Sequence, residues 1–339
     1  MMPLSLGFLR RLDATYLRLS LLLVVLVICL GGLIGDRLFG ELGLRSMAYQ
    51  MPELGLLALA QMVALLSGGF DLSIIATADL SALTMAYILT SIPPEAAGLV
   101  YAGWIGLALL CGIAVAVAVG LFNGVLIGYL RISPILATLG SMTLIKGIAV
   151  ALSHGSVISG FPPVIVFLGN GSLIGIPMPL VIFACAAAPL GIFLGRTPLG
   201  IKIAMFGSNE RALRFSGFDT GRVAIGIYML TALLAFVAGL LMMARFDSAN
   251  AAYGESYLLV TVLACVLGGI DPAGGFGKVG GLVLALVILQ IISTACVVLG
   301  LSQFLTLTLW GAILIAVGGS SSIRQAISLL LESVHPQSR

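Results

Sequence analysis

RTPLGIKIAMFGSNERALRFSGFDTGR, residues 196–222, is the one long polar interruption in the middle of an otherwise oily chain. It carries Arg196, Lys202, Arg211, Arg214 and Arg222, five of the 16 Lys and Arg residues, against two acids, Glu210 and Asp219. Apolar runs flank it on both sides, so it reads as a loop in water, and its basic excess argues for the cytoplasmic side of a membrane. Its centre, residues 208–217, reads as a short helix: Ser208 or Asn209 can accept the first free amides, and Gly217 can close the far end. A short capped helix on the inner face invites a partner. A solvated basic loop that only fixes orientation is the other reading.

The bulk composition agrees with membrane flanks. The chain has 339 residues, 60% hydrophobic and 9% charged, where soluble domains carry about 25% charged residues. A mean hydropathy of +1.21 over the whole length requires many spanning helices rather than one anchor. The net charge of +3 is small, and basic residues do not interleave with aromatic ones, so nothing suggests a nucleic-acid partner. Cys29, Cys111, Cys185, Cys265 and Cys296 each stand alone in an apolar run and read as small packing residues. His154 and His335 are too far apart in sequence to suggest a metal cluster.

Taken in order, apolar runs predict spans at about 19–34, 52–67, 72–92, 103–128, 135–152, 176–194, 223–243, 257–267, 279–299 and 304–317. Arg10, Arg11 and Arg18 precede the first run, which is too long for a signal peptide and lacks a cleavage site. Residues 36–50 read as an outer loop, with Pro52 in the first turn of the second span. The expectation is an all-α polytopic membrane protein, one transmembrane domain over 1–339 with about ten passes and both termini inside. Residues 1–18 form its cytoplasmic N-terminus, 196–222 its central cytoplasmic loop and 318–339 its cytoplasmic tail. Twelve Lys and Arg then fall inside against three outside (Arg37, Arg45, Arg245), with Lys146 in the membrane. The eighth run is short and could be re-entrant, which would move the C-terminus outside. Gly68-Gly69-Phe70-Asp71 and Gly268-Gly269-Ile270-Asp271 echo each other across the central loop, as in a two-repeat transporter; chance is the alternative in a Gly-rich chain.

Few motifs carry chemistry. Residues 275–280 satisfy GxGxxG, but no strand precedes them, Pro272 stands where a phosphate loop needs its first glycine, and Val279 replaces its Ser or Thr. No catalytic set is visible, so the chain does not read as an enzyme, and no cofactor or metal is expected. Charges within hydrocarbon are better clues, since each costs at least about 2.5 kcal/mol at the membrane centre. These are Asp71, Asp79 and Lys146; Asp71 reads as a pathway group or a helix cap, and Asp79 as a partner of Lys146 or a transport group. Ser73, Thr77, Ser81 and Thr84 make one stripe on the third span, and Gly120, Gly124 and Gly128 make a small-residue face on the fourth.

Several segments together resemble one family. Gly68-Gly69-Phe70-Asp71-Leu72-Ser73, Asn123-Gly124, Arg131-Ile132-Ser133-Pro134 with Thr138-Leu139-Gly140-Ser141-Met142, Gly207-Ser208-Asn209-Glu210-Arg211-Ala212, and Gly268-Gly269 with Gly274-Gly275-Phe276-Gly277 occur in the order found in ABC-importer permeases for simple sugars. The match runs roughly from 52 to 317. Branched-chain amino-acid and autoinducer permeases share the architecture. Ile75-Ala76, Pro272-Ala273 and Ile135 depart from the usual pattern.

The resemblance implies a dimerising permease of the bacterial inner membrane. Its partners would be cytoplasmic ATP-binding subunits, a second permease, an external solute-binding protein, membrane lipid and a small polar substrate, with a monosaccharide expected. It implies a substrate pathway near Asp71, Ser73, Thr77, Asn123 and Thr138. It also implies an ATPase-coupling segment at Ser208, Asn209, Glu210, Arg211, Ala212, Leu213, Arg214, Phe215 and Gly217. The rival readings are an ion-coupled secondary transporter using Asp71, Asp79 and Lys146, and a non-transporting scaffold.

Overall fold

The structure, a computed structural model, describes the backbone of residues 6–334 and the side chains of residues 15–319. Residues 1–5 of the expected N-terminus and 335–339 of the expected tail lie outside the described residues, as do the side chains of Arg10 and Arg11. The elements in order are α1 (Leu6–Ile34), α2 (Asp36–Phe39), α3 (Glu41–Leu66), α4 (Ile74–Thr90), α5 (Gly98–Gly128), α6 (Pro134–Ser153) and α7 (Pro163–Asn170). There follow α8 (Met178–Arg196), α9 (Pro198–Phe215), α10 (Thr220–Phe246), α11 (Tyr257–Leu267), α12 (Val279–Val298) and α13 (Gln303–Val334). Two-residue strands tie the loops: Ile158–Ser159 pairs antiparallel with Ser248–Ala249, and Ser172–Leu173 with Ile176–Pro177.

Seven of these helices (α1, α3, α5, α6, α8, α10 and α12) are long and apolar enough to cross a membrane. The three remaining expected passes are shorter apolar helices: α4, α11 and the part of α13 from Gln303 to Gly319. At 11 residues, α11 is about 16 Å long, roughly half of a 30 Å hydrocarbon core.

The centre of the molecule is α3, buried at every residue from Met51 to Leu66, with 89% of its spanning window buried. Against it pack α8, α10, α11 and α12, while α10 also holds α4 and α5. The seam between α5 and α10 is close because Gly120, Gly124 and Gly128 face the second helix: a Cβ at Gly120 would stand 2.7 Å from the Tyr228 carbonyl oxygen, and one at Gly124 2.6 Å from the Ile225 Cα. Without apolar gain against lipid, such backbone approach is what holds membrane helices together. By contrast α1 sits outside, with 6% of its spanning window buried, and touches α12 and α2.

Two expectations fail. Residues 36–50 are not an outer loop but α2 and the first turns of α3, so Pro52 lies inside α3 rather than in its first turn. Residues 196–222 are mostly helical, because Pro198 at the first position and Thr197, whose Oγ1 accepts the Gly200 amide, start a helix directly after α8. That early start was masked in the sequence by the charge content of the segment.

Candidate functional site

The break after α3 is built around Asp71. Its Oδ1 accepts the Ser73 amide (3.0 Å) and the Ser73 hydroxyl (2.6 Å), and its Oδ2 accepts the Thr231 hydroxyl from α10 (2.7 Å). Asn123 of α5 donates its Nδ2 to Ser73 Oγ at 2.8 Å, so three elements close on one carboxylate. Thr77 donates to the Ser73 carbonyl, and Thr138 is within hydrogen-bond distance of the Phe70 and Pro134 carbonyls. All five expected pathway residues (Asp71, Ser73, Thr77, Asn123 and Thr138) are buried, and none lines either of the two clefts described next. The network fastens α4 to α5 and α10 by satisfying polar groups that hydrocarbon would leave unpaired. Thr231 is the member that sequence reading missed; it lies 160 residues from Asp71 and belongs to no recognisable motif.

Asp71, Asp79 and Lys146 do not share one network. Lys146 of α6 pairs with Glu255, in the loop before α11, and Asp79 of α4 takes the Gly254 amide from that same loop. Asp79 and Lys146 line a small cleft of about 230 Å³ together with Glu255 and Met142. Asp71 is bonded to Ser73 and Thr231 instead, so no relay connects the three among the described residues.

A larger cleft of about 630 Å³ opens between α3, the end of α10, α11, α12 and α13. Its polar lining includes Gln50, Arg245, Glu255, Tyr257, Gln290 and Ser293, and Trp310 and Phe304 are among its aromatic residues. Behind the wall, Glu53 of α3 is fully buried and holds Arg245 at 2.9 Å, with the Tyr257 hydroxyl donating to the same carboxylate oxygen at 3.2 Å. Gln290 donates to Gln50 across the cleft at 3.3 Å. Sequence reading missed this site because Gln50 had been placed in a loop and Glu53 was one acid in an apolar run.

On the opposite, basic side, α9 breaks at Asn209, whose φ of −164° and ψ of 93° are not helical. Asn209 Oδ1 accepts the Ala212 amide and starts a second short helical segment, while Ser208 bonds back to Ala204 and belongs to the first. Gly217, at a φ of 85°, ends it: the Phe218 amide reaches the Leu213 carbonyl and the Gly217 amide the Arg214 carbonyl, which satisfies the last turn. Leu213 is wholly buried and anchors the segment, whereas Phe215 is 91% exposed. Ser208, Asn209, Glu210, Arg211, Ala212, Arg214 and Gly217 are exposed as well. Arg214 is bonded to Glu210 and Thr220, but Arg211 has no hydrogen bond or ion pair among the described residues. Just before the break, Gly207 touches both glycine turns: a Cβ on it would collide with the Leu66 carbonyl and lie 2.7 Å from the Gly275 amide nitrogen. The turn after α3 and the Gly274-Gly275 turn after α11 therefore meet at the root of the exposed segment.

The profile of the family described as "Branched-chain amino acid transport system / permease component" matches residues 43–320. The chain is 32% identical over 303 residues to the ribose import permease protein RbsC of Bacillus subtilis, covering 88% of this chain and 90% of that one. It is 32% identical over 279 residues to the autoinducer 2 import system permease protein LsrD of Photorhabdus laumondii, covering 80% of each. Against the L-arabinose transport system permease protein AraH of Escherichia coli it is 29% identical over 275 residues, covering 81% of each. No solved structure matches it significantly. With most of its length matched, carried on a bundle of apolar membrane-length helices, the chain belongs to this family of ABC-importer permease components and is an integral, multi-pass protein of the bacterial inner membrane.

Proposed function

We propose that the chain is the membrane-spanning subunit of an ATP-driven importer for a small polar solute, a monosaccharide, handed over by an external binding protein. In this reading one domain makes ten passes with both termini inside, pairs with a second permease, and takes its energy from cytoplasmic ATP-binding subunits. The observation that carries it is the segment after Asn209: a capped, exposed helical turn presenting Arg211 and Phe215, rooted through Gly207 on both glycine turns. An exposed Phe beside a free Arg is an anchor pair of the kind that fills a partner's cleft. The twelve-to-three Lys/Arg bias supports the same side for this segment. The monosaccharide is inferred from the names of two relatives, a ribose import permease and an L-arabinose transport permease.

The test is reconstitution in liposomes with the cognate ATPase and binding protein, using D-ribose and L-arabinose as probes. ATP hydrolysis stimulated by loaded binding protein, with uptake that stops on ATP depletion, is the expected result. Uptake that follows a proton or sodium gradient and ignores ATP overturns the reading.

A further inference from the structure

The larger cleft has the size of a small-molecule site, which typically spans about 300–1,000 Å³, at about 630 Å³. Its two charged lining residues are each neutralised from outside it. Arg245 is held by Glu53, which stands behind the wall in α3, and Glu255 by Lys146, which faces the smaller cleft on the far side. What remains are neutral hydrogen-bonding groups, among them Gln50, Tyr257, Gln290 and Ser293, beside the aromatic ring of Trp310. An unpaired charge in a partly dry cleft would attract ions of opposite sign and repel like ones; a compensated one acts only as a hydrogen-bonding group.

We propose that this cleft binds an uncharged polyhydroxy solute, and that the Glu53–Arg245 and Lys146–Glu255 pairs set its rejection of ionised forms. Glu53 and Lys146 are thus specificity-determining residues that touch no solute themselves. Hydroxyls of the solute meet the carboxamides, and the C–H face of its ring meets Trp310, whose large apolar surface suits such contact. Removing either outer partner exposes the charge it had offset. Glu53→Gln turns the cleft cationic, and Lys146→Gln turns it anionic, without altering any inward-facing side chain.

The inference takes its solute class from the importer reading, but its test needs neither ATP nor a binding protein. The full chain in lipid nanodiscs, with Trp104→Phe so that Trp310 is the sole remaining tryptophan of two, is titrated with D-ribose, L-arabinose, D-ribonate and D-glucosamine. Fluorescence of Trp310 should respond saturably to a neutral pentose and not to either ion. Glu53→Gln should gain D-ribonate binding, and Lys146→Gln should gain D-glucosamine binding, by about tenfold or more each. Lys146 is half exposed, so its variant keeps the test decisive should Glu53→Gln fail to fold. A wild-type response to D-ribonate equal to that for ribose overturns the proposal. So does a silent Trp310, or a Lys146→Gln variant with unchanged preference. ATP-driven pentose uptake with a silent cleft refutes this inference alone; charge-selective binding without ATP-driven uptake refutes the importer reading alone.

Discussion

The amide of Gly275 donates to the carbonyl of Leu66 at 2.8 Å, joining the turn that follows α11 to the last turn of α3. This bond satisfies a helix-end carbonyl that would otherwise lack a protein partner, and it locks the end of α3 to the turn after α11. Ser208 lies directly against Gly275, so the exposed end of α9 rests on the same junction.

Gly275→Ala should therefore damage the junction twice. Its φ of 85° costs an L-residue about 1–2 kcal/mol, and the added methyl collides with the Ser208 hydroxyl. The expected outcome is a lower melting temperature in detergent than that of Gly217→Ala, whose φ is also positive but whose Cβ meets nothing. Equal melting temperatures would show that the close approach carries no weight.

Asp71→Ala removes the acceptor for the Ser73 amide, the Ser73 hydroxyl and the Thr231 hydroxyl. A buried donor without a partner costs about 1–3 kcal/mol, so the variant should express poorly and melt early, whereas Asp71→Asn keeps one acceptor and should be milder. Fluorescence-detected size exclusion after a heating series distinguishes them. Normal stability with lost uptake would return Asp71 to the role of a pathway residue.

That contrast marks how far the sequence was legible. Apolar run length located a helix at each of the ten expected passes, seven of them long and apolar enough to cross a membrane. It misjudged residues 36–50 and 196–222, where helices carry enough charge to look like loops. For the site, the family resemblance together with polarity within apolar runs pointed to Asp71, Ser73, Thr77, Asn123 and Thr138, and all five are buried. Polarity alone cannot separate a side chain that faces a solute from one that closes a network. That depends on Thr231 and on where α10 passes, neither of which has a local signal.

Phe215→Ala should weaken capture of the ATPase subunit. Full burial of that side chain in a partner contributes about 1.5–3 kcal/mol, or roughly a tenfold to hundredfold loss in affinity. Leu213→Ala should instead destabilise the permease itself, since Leu213 is already buried within it. Co-purification yields and melting curves read the two effects separately. Unchanged capture by Phe215→Ala, and by Ala212→Arg as well, would leave the segment a plain connector.

Topology can be read on a variant with Cys29, Cys111, Cys185, Cys265 and Cys296 replaced. A single cysteine at Ser208 should react only with reagent inside the cell, and one at Gly171 only with reagent outside. A third at Gln337, beyond the described residues, should label from inside. Outside labelling of position 337 would remove one pass, with α11 the helix too short to count.

The break at Asn209 also has a kinematic consequence. It divides α9 into a stem and a short arm of six residues, 210–215, about 9 Å long, anchored by the buried Leu213, with Ser208 next to the break and Gly207 two residues before it. Because Gly207 and Ser208, just before the break, touch the end of α3 and the turn after α11 together, a push on the stem of α9 would reach both at once.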